Sequence, residues 1–419
     1  MMEKKEWDLV IVGGGPGSMA LAMALDRKGY RIAILDRQSS PASHPRGEII
    51  QPNGLRVLEE LGLLPELLKA DVHINKAVHF HQMTGTHLCT VDYQTLPKPH
   101  DYALILLPKT LQKLMIESIA ASPNTKIFWG ARFEKPLRKR GSVIGAEVDF
   151  QGKKLIFKAP VIVGGDGVRS PVREAFHIKY RIHKYKHGYI TGIIKRPNGF
   201  HEDSRYYLGK GKILGIFPIS KFDCYFFYLL PSIKREAFQQ RDIQKFKEEI
   251  LSINEETRAL LEKGLEGISS WDEMPFMPCY RVYCDQWVVN GGVLLGDAAH
   301  AMNPHVAQGR NSAMEDGMML AELLDDCFQK GNFSREALQP YELTRRKKVD
   351  LLQNLGDEMT WLWNSNWGPF IWARDRIFRS IDRHPDLHKK ILTTISGIEM
   401  NPFDLLDRWR ALHLFGKTS

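Results

Sequence analysis

The sequence predicts an α/β protein. A parallel-sheet domain is split along the chain, a mostly antiparallel β-sheet domain is inserted into it, and a helical segment follows. Three observations predict this. Apolar runs ending in glycine occur three times, as "DLVIVGGGPGS", "PVIVGGDG" and "GGVLLGDAAH". The first is followed by a helical pattern and another apolar run, which makes a βαβ unit. Between the glycine-ended runs lie alternating, aromatic-rich segments.

Each element has its own signal. "DLVIV" and "RIAILD" are short and apolar throughout, as buried parallel strands are. Between them "SMALAMALDRKGY" carries apolar residues at helical spacing and ends near Gly29. "PRGEIIQPNGLRVLEELGLLPEL" reads as a loop and then a helix, and "KTLQKLMIESIAAS" as a second helix. "AVHFHQMTGTHLCTV" alternates like strands of a half-exposed sheet. "KIFWG", "GSVIGAEVDF" and "KKLIFKA" are strand-like, and residues 181–280 read as a sheet-based domain ("GYITGIIK", "CYFFYLL"). The last eighty residues look helical and crowd Trp361, Trp363, Trp367 and Trp372 together. The expected division is 1–75, 100–180 and 281–345 for the parallel-sheet domain, 76–99 and 181–280 for the inserted sheet, and 346–419 for the helical segment.

A chain of 419 residues with 43% hydrophobic and 26% charged residues has ample core for such a fold. The net charge of +9 favours anionic ligands. Lys and Arg are spread evenly, without a dense basic run, which speaks against a nucleic-acid partner. Cys89, Cys224, Cys279, Cys284 and Cys327 form no C-x-x-C pair, as expected of reduced thiols in a cytoplasmic protein. The apolar run before Gly13 is too short for a signal peptide, and no stretch is long and apolar enough to span a bilayer.

Three constellations carry chemistry. Gly13, Gly15 and Ser18 take the spacing G-x-G-x-x-G, with serine in the third place. Gly13 permits the tight turn and Gly15 lets a pyrophosphate approach the backbone. The third position governs helix packing, where a small residue suffices. The following helix start offers free N–H groups to phosphates. Asp36 ends the second strand where a ribose-binding acid is expected. In "VIVGGDGVRSPVREAF", Asp166 sits between glycines, with Ser170 and Pro171 as N-cap and first-turn residues. That motif reads equally well as a ligand contact or an ordinary turn. In "VLLGDAAHAMNPHVAQGRN", a strand ends at Gly296 and Asp297, and a helix begins beside Gly309. His300 reads as a packed turn residue. His79, His81 and His87 lack a nearby carboxylate and read as an exposed strand face, so no metal site is expected.

Together, "GGGPGS", "GGDGVRSPVR" and "GDAAHAMNPHVAQGRN" resemble the three fingerprints of the flavoprotein aromatic hydroxylases of the para-hydroxybenzoate hydroxylase type. The resemblance covers about residues 6–350 and is weak across 181–280. It implies a Rossmann-type FAD domain. It implies that the loop of Gly13, Gly15, Pro16, Gly17 and Ser18 holds the pyrophosphate, and that Asp36 binds the adenosine ribose with Arg37 flanking it. Arg46 matches a flavin-contacting arginine. Asp166 serves the cofactor, and Gly296 and Asp297 contact the ribityl and pyrophosphate region. Pro304, Gly309, Arg310 and Asn311 lie by the isoalloxazine ring. The family's Arg or Gln at the helix start near residue 109 is replaced here by Lys109, with Gln112 a turn later. Either of them is the expected FAD contact.

The activity implied is an NAD(P)H-dependent FAD monooxygenase that hydroxylates an aromatic or lipophilic small molecule through a flavin C4a-hydroperoxide. Its partners are the organic substrate, O₂ and transient NADH or NADPH. Only one dinucleotide loop exists, as fits a family whose reductant docks transiently. The cofactor carries the hard chemistry, so no catalytic acid or base is assigned. Tyr206, Phe217, Phe226 and Tyr228 are candidate walls of the substrate pocket, about half of which should face away on alternating strands. A reductase or halogenase on the same scaffold is the alternative, although the W-x-W-x-I-P stretch of tryptophan-type halogenases is absent. A non-catalytic binding protein like the GDP-dissociation inhibitors ranks lower. The C-terminal tryptophans read first as core packing, with peripheral membrane contact through that aromatic and basic segment as the second reading.

Overall fold

A computed structural model of the chain describes residues 4–41, 47–197, 199–200, 203–230, 240–401, 403–404, 406–407 and 411. Its centre is a six-stranded sheet in the order Val288–Val289, Gly292–Leu294, Val161–Gly164, Leu9–Val12, Ile32–Asp36 and Thr125–Trp129. All neighbours are parallel except the first pair. Leu9–Val12 and Val161–Gly164 are buried throughout, which is why their sequences are apolar without alternation. The helices Pro16–Asp26 and Gly309–Lys330 pack on this sheet. The three glycine-ended strands are therefore adjacent, and their C-terminal ends open at one edge of the sheet, where α/β folds bind ligands. This is the Rossmann-type arrangement that the sequence predicts.

Smaller sheets extend it. Lys4–Glu6, Lys153–Lys158, Ser142–Phe150 and Ala131–Lys139 form one of four strands. Glu48–Ile50, Ala103–Leu106 and His73–Asn75 form another of three. A seven-stranded sheet runs Phe276–Cys284, Tyr180–Lys195, Asp223–Leu230, Ile213–Pro218, Ser204–Leu208, Ala77–Gln82 and His87–Asp92. It thus gathers strands from two separate stretches of chain. One face packs on C-terminal helices through Val78, Phe80, Trp363 and Phe378. The other packs on helices Ile243–Leu251 and Glu255–Glu266 through Phe226, Tyr228, Phe246 and Leu261.

Three expectations need correction. The region 181–280 is not all strand. Ile243, Phe246 and Ile250 recur at helical spacing, and Asp242 and Asn254 cap the two helices there. The boundary at 346 falls inside the helix Arg335–Trp363. Its first half packs on the parallel-sheet core through Leu338, Tyr341 and Val349, and its end reaches the seven-stranded sheet through Trp363. A continuous hydrogen-bonded helix thus joins what the sequence divides. Lastly, only Trp363 of the four crowded tryptophans is packed in the core. Trp361, Trp367 and Trp372 are 62%, 58% and 56% exposed.

Candidate active site

A cavity of about 490 Å³ lies where the glycine-ended strands meet the seven-stranded sheet. One wall is backbone and small residues: Gly15, Pro16, Gly17, Ser18, Gly165, Gly167, Gly296, Asp297, Pro304, Gly309 and Arg310. The other is aromatic: Tyr189, Tyr206, Phe217, Tyr225, Phe227 and Trp363.

The first glycine loop is shaped by backbone contact. Gly13 has φ +99°, and a Cβ there would lie 2.3 Å from the Gly165 carbonyl oxygen. Gly15 has only that oxygen near, at 3.9 Å, so a side chain on it would project into the cavity. Ser18 fits because Gly165 lies opposite. A Cβ on Gly165 would stand 2.2 Å from the serine Oγ. The close helix packing that a third glycine usually permits is supplied one residue earlier. A Cβ on Gly17 would lie 2.4 Å from the Ala313 carbonyl oxygen. Asp36 accepts from the Gly14 amide at 2.7 Å and the Gln38 amide at 2.8 Å, so it ties the loop to the second strand. Arg37 beside it is exposed. Arg46 lies outside the described residues.

Asp166 is held by the Val172 amide at 3.1 Å. Its other carboxylate oxygen is buried without a partner, and burial raises its pKa. Ser170 caps the short helix Pro171–Ala175, as predicted, accepting from the Arg173 amide at 2.9 Å. Asp297 is exposed toward the cavity and follows Gly296, whose φ is +59°. That turn is fastened from below. Asp316 accepts from the Gly296 amide at 3.1 Å and lies 2.6 Å from both His300 Nε2 and Arg345 Nε. Burial alone would raise the Asp316 pKa, but His300 and Arg345 outweigh it and hold the carboxylate ionised. His300 is the packed turn residue its context indicates.

The helix Gly309–Lys330 begins at the cavity with no acidic residue in its first turn and no side-chain cap. Its free N–H groups and positive dipole end are available to a ligand. Arg310 is ion-paired with Glu48.

Several predicted residues are placed elsewhere. Asn311 is fully buried and does not line the cavity. Its Nδ2 donates to the Ile49 and Ala307 carbonyls at 3.1 and 2.8 Å, and its Oδ1 accepts from the Gln51 amide at 3.2 Å. It positions strand Glu48–Ile50 instead. Neither Lys109 nor Gln112 reaches the cavity. Helix Pro108–Ala120 leaves Lys109 exposed and Gln112 half-buried. Phe226 and Tyr228 face the opposite side of their sheet, where the Tyr228 hydroxyl donates to Glu249 at 3.1 Å. Tyr225 and Phe227, one residue out of step, face the cavity with Tyr206 and Phe217.

Besides the aromatic residues Tyr189, Tyr225, Phe227 and Trp363, a histidine escaped the sequence reading. His305 lines the cavity, with Nδ1 2.8 Å from the Tyr189 hydroxyl and 2.5 Å from Asn303 Oδ1, and Nε2 3.2 Å from Asn364 Oδ1. Burial, with His187 nearby, lowers its pKa to about 3. The only local hint is its place after Pro304 in the third motif.

The residues present fit FAD. The Ser18 Oγ and one Asp166 oxygen are buried without partners among the described residues. The glycine cradle opens to the cavity, and a helix N-terminus with no acidic residue in its own first turn faces it. A family model described as "FAD binding domain" matches residues 6–354. The chain is 26% identical over 347 residues to 6-methylpretetramide 4-monooxygenase of Streptomyces rimosus, covering 82% of this chain and 81% of that protein. It is 25% identical over 370 residues to 6-hydroxynicotinate 3-monooxygenase of Pseudomonas fluorescens, covering 84% and 91%. Its fold is similar to the crystal structure of p-nitrophenol 4-monooxygenase from Pseudomonas putida DLL-E4, with TM-score 0.80 at 20% identity over 95% of this chain and 100% of that one. The chain belongs to this FAD-binding family, that of the FAD-dependent monooxygenases of aromatic-hydroxylase type.

Proposed function

We propose that the protein is an NAD(P)H-dependent monooxygenase that inserts one oxygen atom of O₂ into an aromatic or lipophilic small molecule. The observation that carries this is the cavity itself, in which a glycine cradle and an aromatic wall face each other. FAD held by these residues would supply the redox chemistry, taking reducing equivalents from NADH or NADPH so that one atom of O₂ would be inserted into the substrate and the other released as water. The chain binds, orients and excludes water. The loop of Gly13, Gly15, Pro16, Gly17 and Ser18 takes the pyrophosphate at the start of helix Pro16–Asp26. Asp36, with Arg37 beside it, takes the adenosine ribose. Asp297 takes the ribityl region, and Asp166 supports the cofactor from the second motif. Pro304 and the helix start at Gly309, which line the cavity, would support the flavin ring, where the dipole favours negative charge.

Tyr206, Phe217, Tyr225 and Phe227 hold the substrate ring. His305 stays neutral and serves as a hydrogen-bond partner with Tyr189. We assign cofactor binding to the parallel-sheet segments and substrate binding to the seven-stranded sheet, in a cytoplasmic enzyme. No helix among the described residues is long and apolar enough to cross a membrane. A peripheral contact is supported by the exposed Trp361, Trp367 and Trp372, with Arg376 lying 5.4 Å from the Trp372 ring centre.

The test is NAD(P)H oxidation by the FAD-loaded protein across phenols, quinolones, polyketides and isoprenoid quinols, with mass analysis of the products. One added oxygen is expected. Stimulated oxidation without an oxygenated product favours the reductase alternative.

A further inference from the structure

A second cavity, of about 570 Å³, adjoins the first. The two share Tyr206, Phe217, His305 and Trp363 in their walls. Of the three glycine motifs only His305, Val306 and Ala307 reach the second, which extends under the C-terminal helices Arg335–Trp363, Gly368–Ile381 and Pro385–Ile395. Its lining is almost wholly apolar. Among its polar side chains, Glu358 is exposed to solvent, and three others are paired internally or neutral. Gln51 accepts from the Tyr93 hydroxyl at 3.0 Å, Asp407 is ion-paired with Lys390, and His305 is uncharged at neutral pH.

We propose that this chamber is a binding site for a hydrocarbon chain, which tethers a substrate whose reacting ring lies against Tyr206 and Phe217. The identity of the reacting part rests on the monooxygenase reading above. The chamber's size and chemistry carry the rest. FAD must share the first cavity with the ring, and a single-ring substrate would leave an apolar void larger than that cavity unfilled. Water in such an apolar chamber finds few hydrogen-bond partners, so an apolar ligand displaces it favourably. A polar or charged group lying along the apolar part of this lining would lose its hydration without compensation. A saturated or isoprenoid chain loses nothing of the kind and gains burial. Trp361 lines the chamber while remaining largely exposed, so the chamber reaches the surface and a chain has a way in.

The experiment is a series of 4-n-alkylphenols, from phenol to 4-decylphenol, titrated into the FAD-loaded protein and followed by flavin absorbance. Burial of one methylene, at about 0.8 kcal/mol, corresponds to roughly a fourfold gain in affinity. The dissociation constant should fall two- to fourfold per methylene and then level off where the chamber is full. The double variant Ala373→Phe/Ile391→Phe narrows the chamber from two helices and should move that plateau to shorter chains. A flat series in the unmodified protein, or a plateau that the double variant does not move, overturns the proposal. A separate probe judges the chamber without the flavin reading. Titration with 1-bromodecane should quench Trp fluorescence saturably, and Trp363→Phe should remove part of that quenching. A protein that takes up no FAD yet shows this quenching keeps the chamber and loses the monooxygenase reading. Absence of saturable quenching overturns the chamber.

Discussion

Gly17 and Gly317 bring two helices into backbone contact beneath the cofactor loop. A Cβ on Gly317 would lie 2.5 Å from the Gly17 carbonyl oxygen and 2.9 Å from the Leu21 amide nitrogen. The helix Pro16–Asp26 thereby rests directly on Gly309–Lys330. Both helices begin at the cavity, so this crossing sets the distance between two N-termini. Gly317→Ala should cost about 1–3 kcal/mol by overpacking and lower flavin content. Thermal unfolding and the flavin-to-protein absorbance ratio check this, and an unchanged midpoint would remove the crossing from the account.

Ser18 and Gly165 form a second matched pair. Gly165→Ala should weaken FAD retention, because the new methyl meets the Ser18 Oγ. Adding Ser18→Gly removes the obstruction, since the next side-chain atoms beyond that oxygen are at 3.6 Å. The double variant should therefore hold more flavin than Gly165→Ala alone. Equal retention by the two would mean that the clash is not what harms the site.

Asp297 lines the cavity at the turn that Asp316 fastens. We expect Asp297→Ala to lose FAD while remaining folded, because the buried network of His300, Asp316 and Arg345 is untouched. Flavin occupancy after gel filtration decides it. Full occupancy contradicts the assignment.

His305 makes stability depend on pH. Its folded pKa is about 3 against 6.5 for the free side chain. Between those values the unfolded chain binds a proton that the folded protein refuses, so stability rises with pH across the window. The contribution is full above about pH 6.5 and is lost as pH falls toward 3. His187, lowered to about 4 by burial, acts in the same direction. In His305→Gln the fall in melting temperature between pH 7 and pH 5 should be smaller than in the parent. Equal falls would show that His305 does not drive it.

The exposed tryptophans supply a surface test. Trp361→Ser, Trp367→Ser and Trp372→Ser combined should reduce cosedimentation with anionic liposomes without lowering flavin content, as interfacial aromatic side chains do. Indifference of both proteins to liposomes would eliminate membrane contact.

Local pattern alone determined much of this protein. The three glycine-ended strands, the helices after the first and third, and the capped turn at Ser170 are legible because burial on both faces demands continuous apolar runs, and tight turns demand glycine. The cofactor class follows from those motifs and the family they resemble. What tertiary structure decided lies in contacts between residues far apart in sequence. Ser18 is tolerated because Gly165 faces it. Asn311 is drawn into the interior by the backbone of Ile49 and Gln51, and His305 is placed by Tyr189 and Asn364. The aromatic wall turned on a single step of strand register. With a side-chain period of two, Tyr225 and Phe227 face the cavity and Phe226 and Tyr228 face the opposite core. Composition cannot distinguish those pairs, because both are aromatic and both are needed for packing.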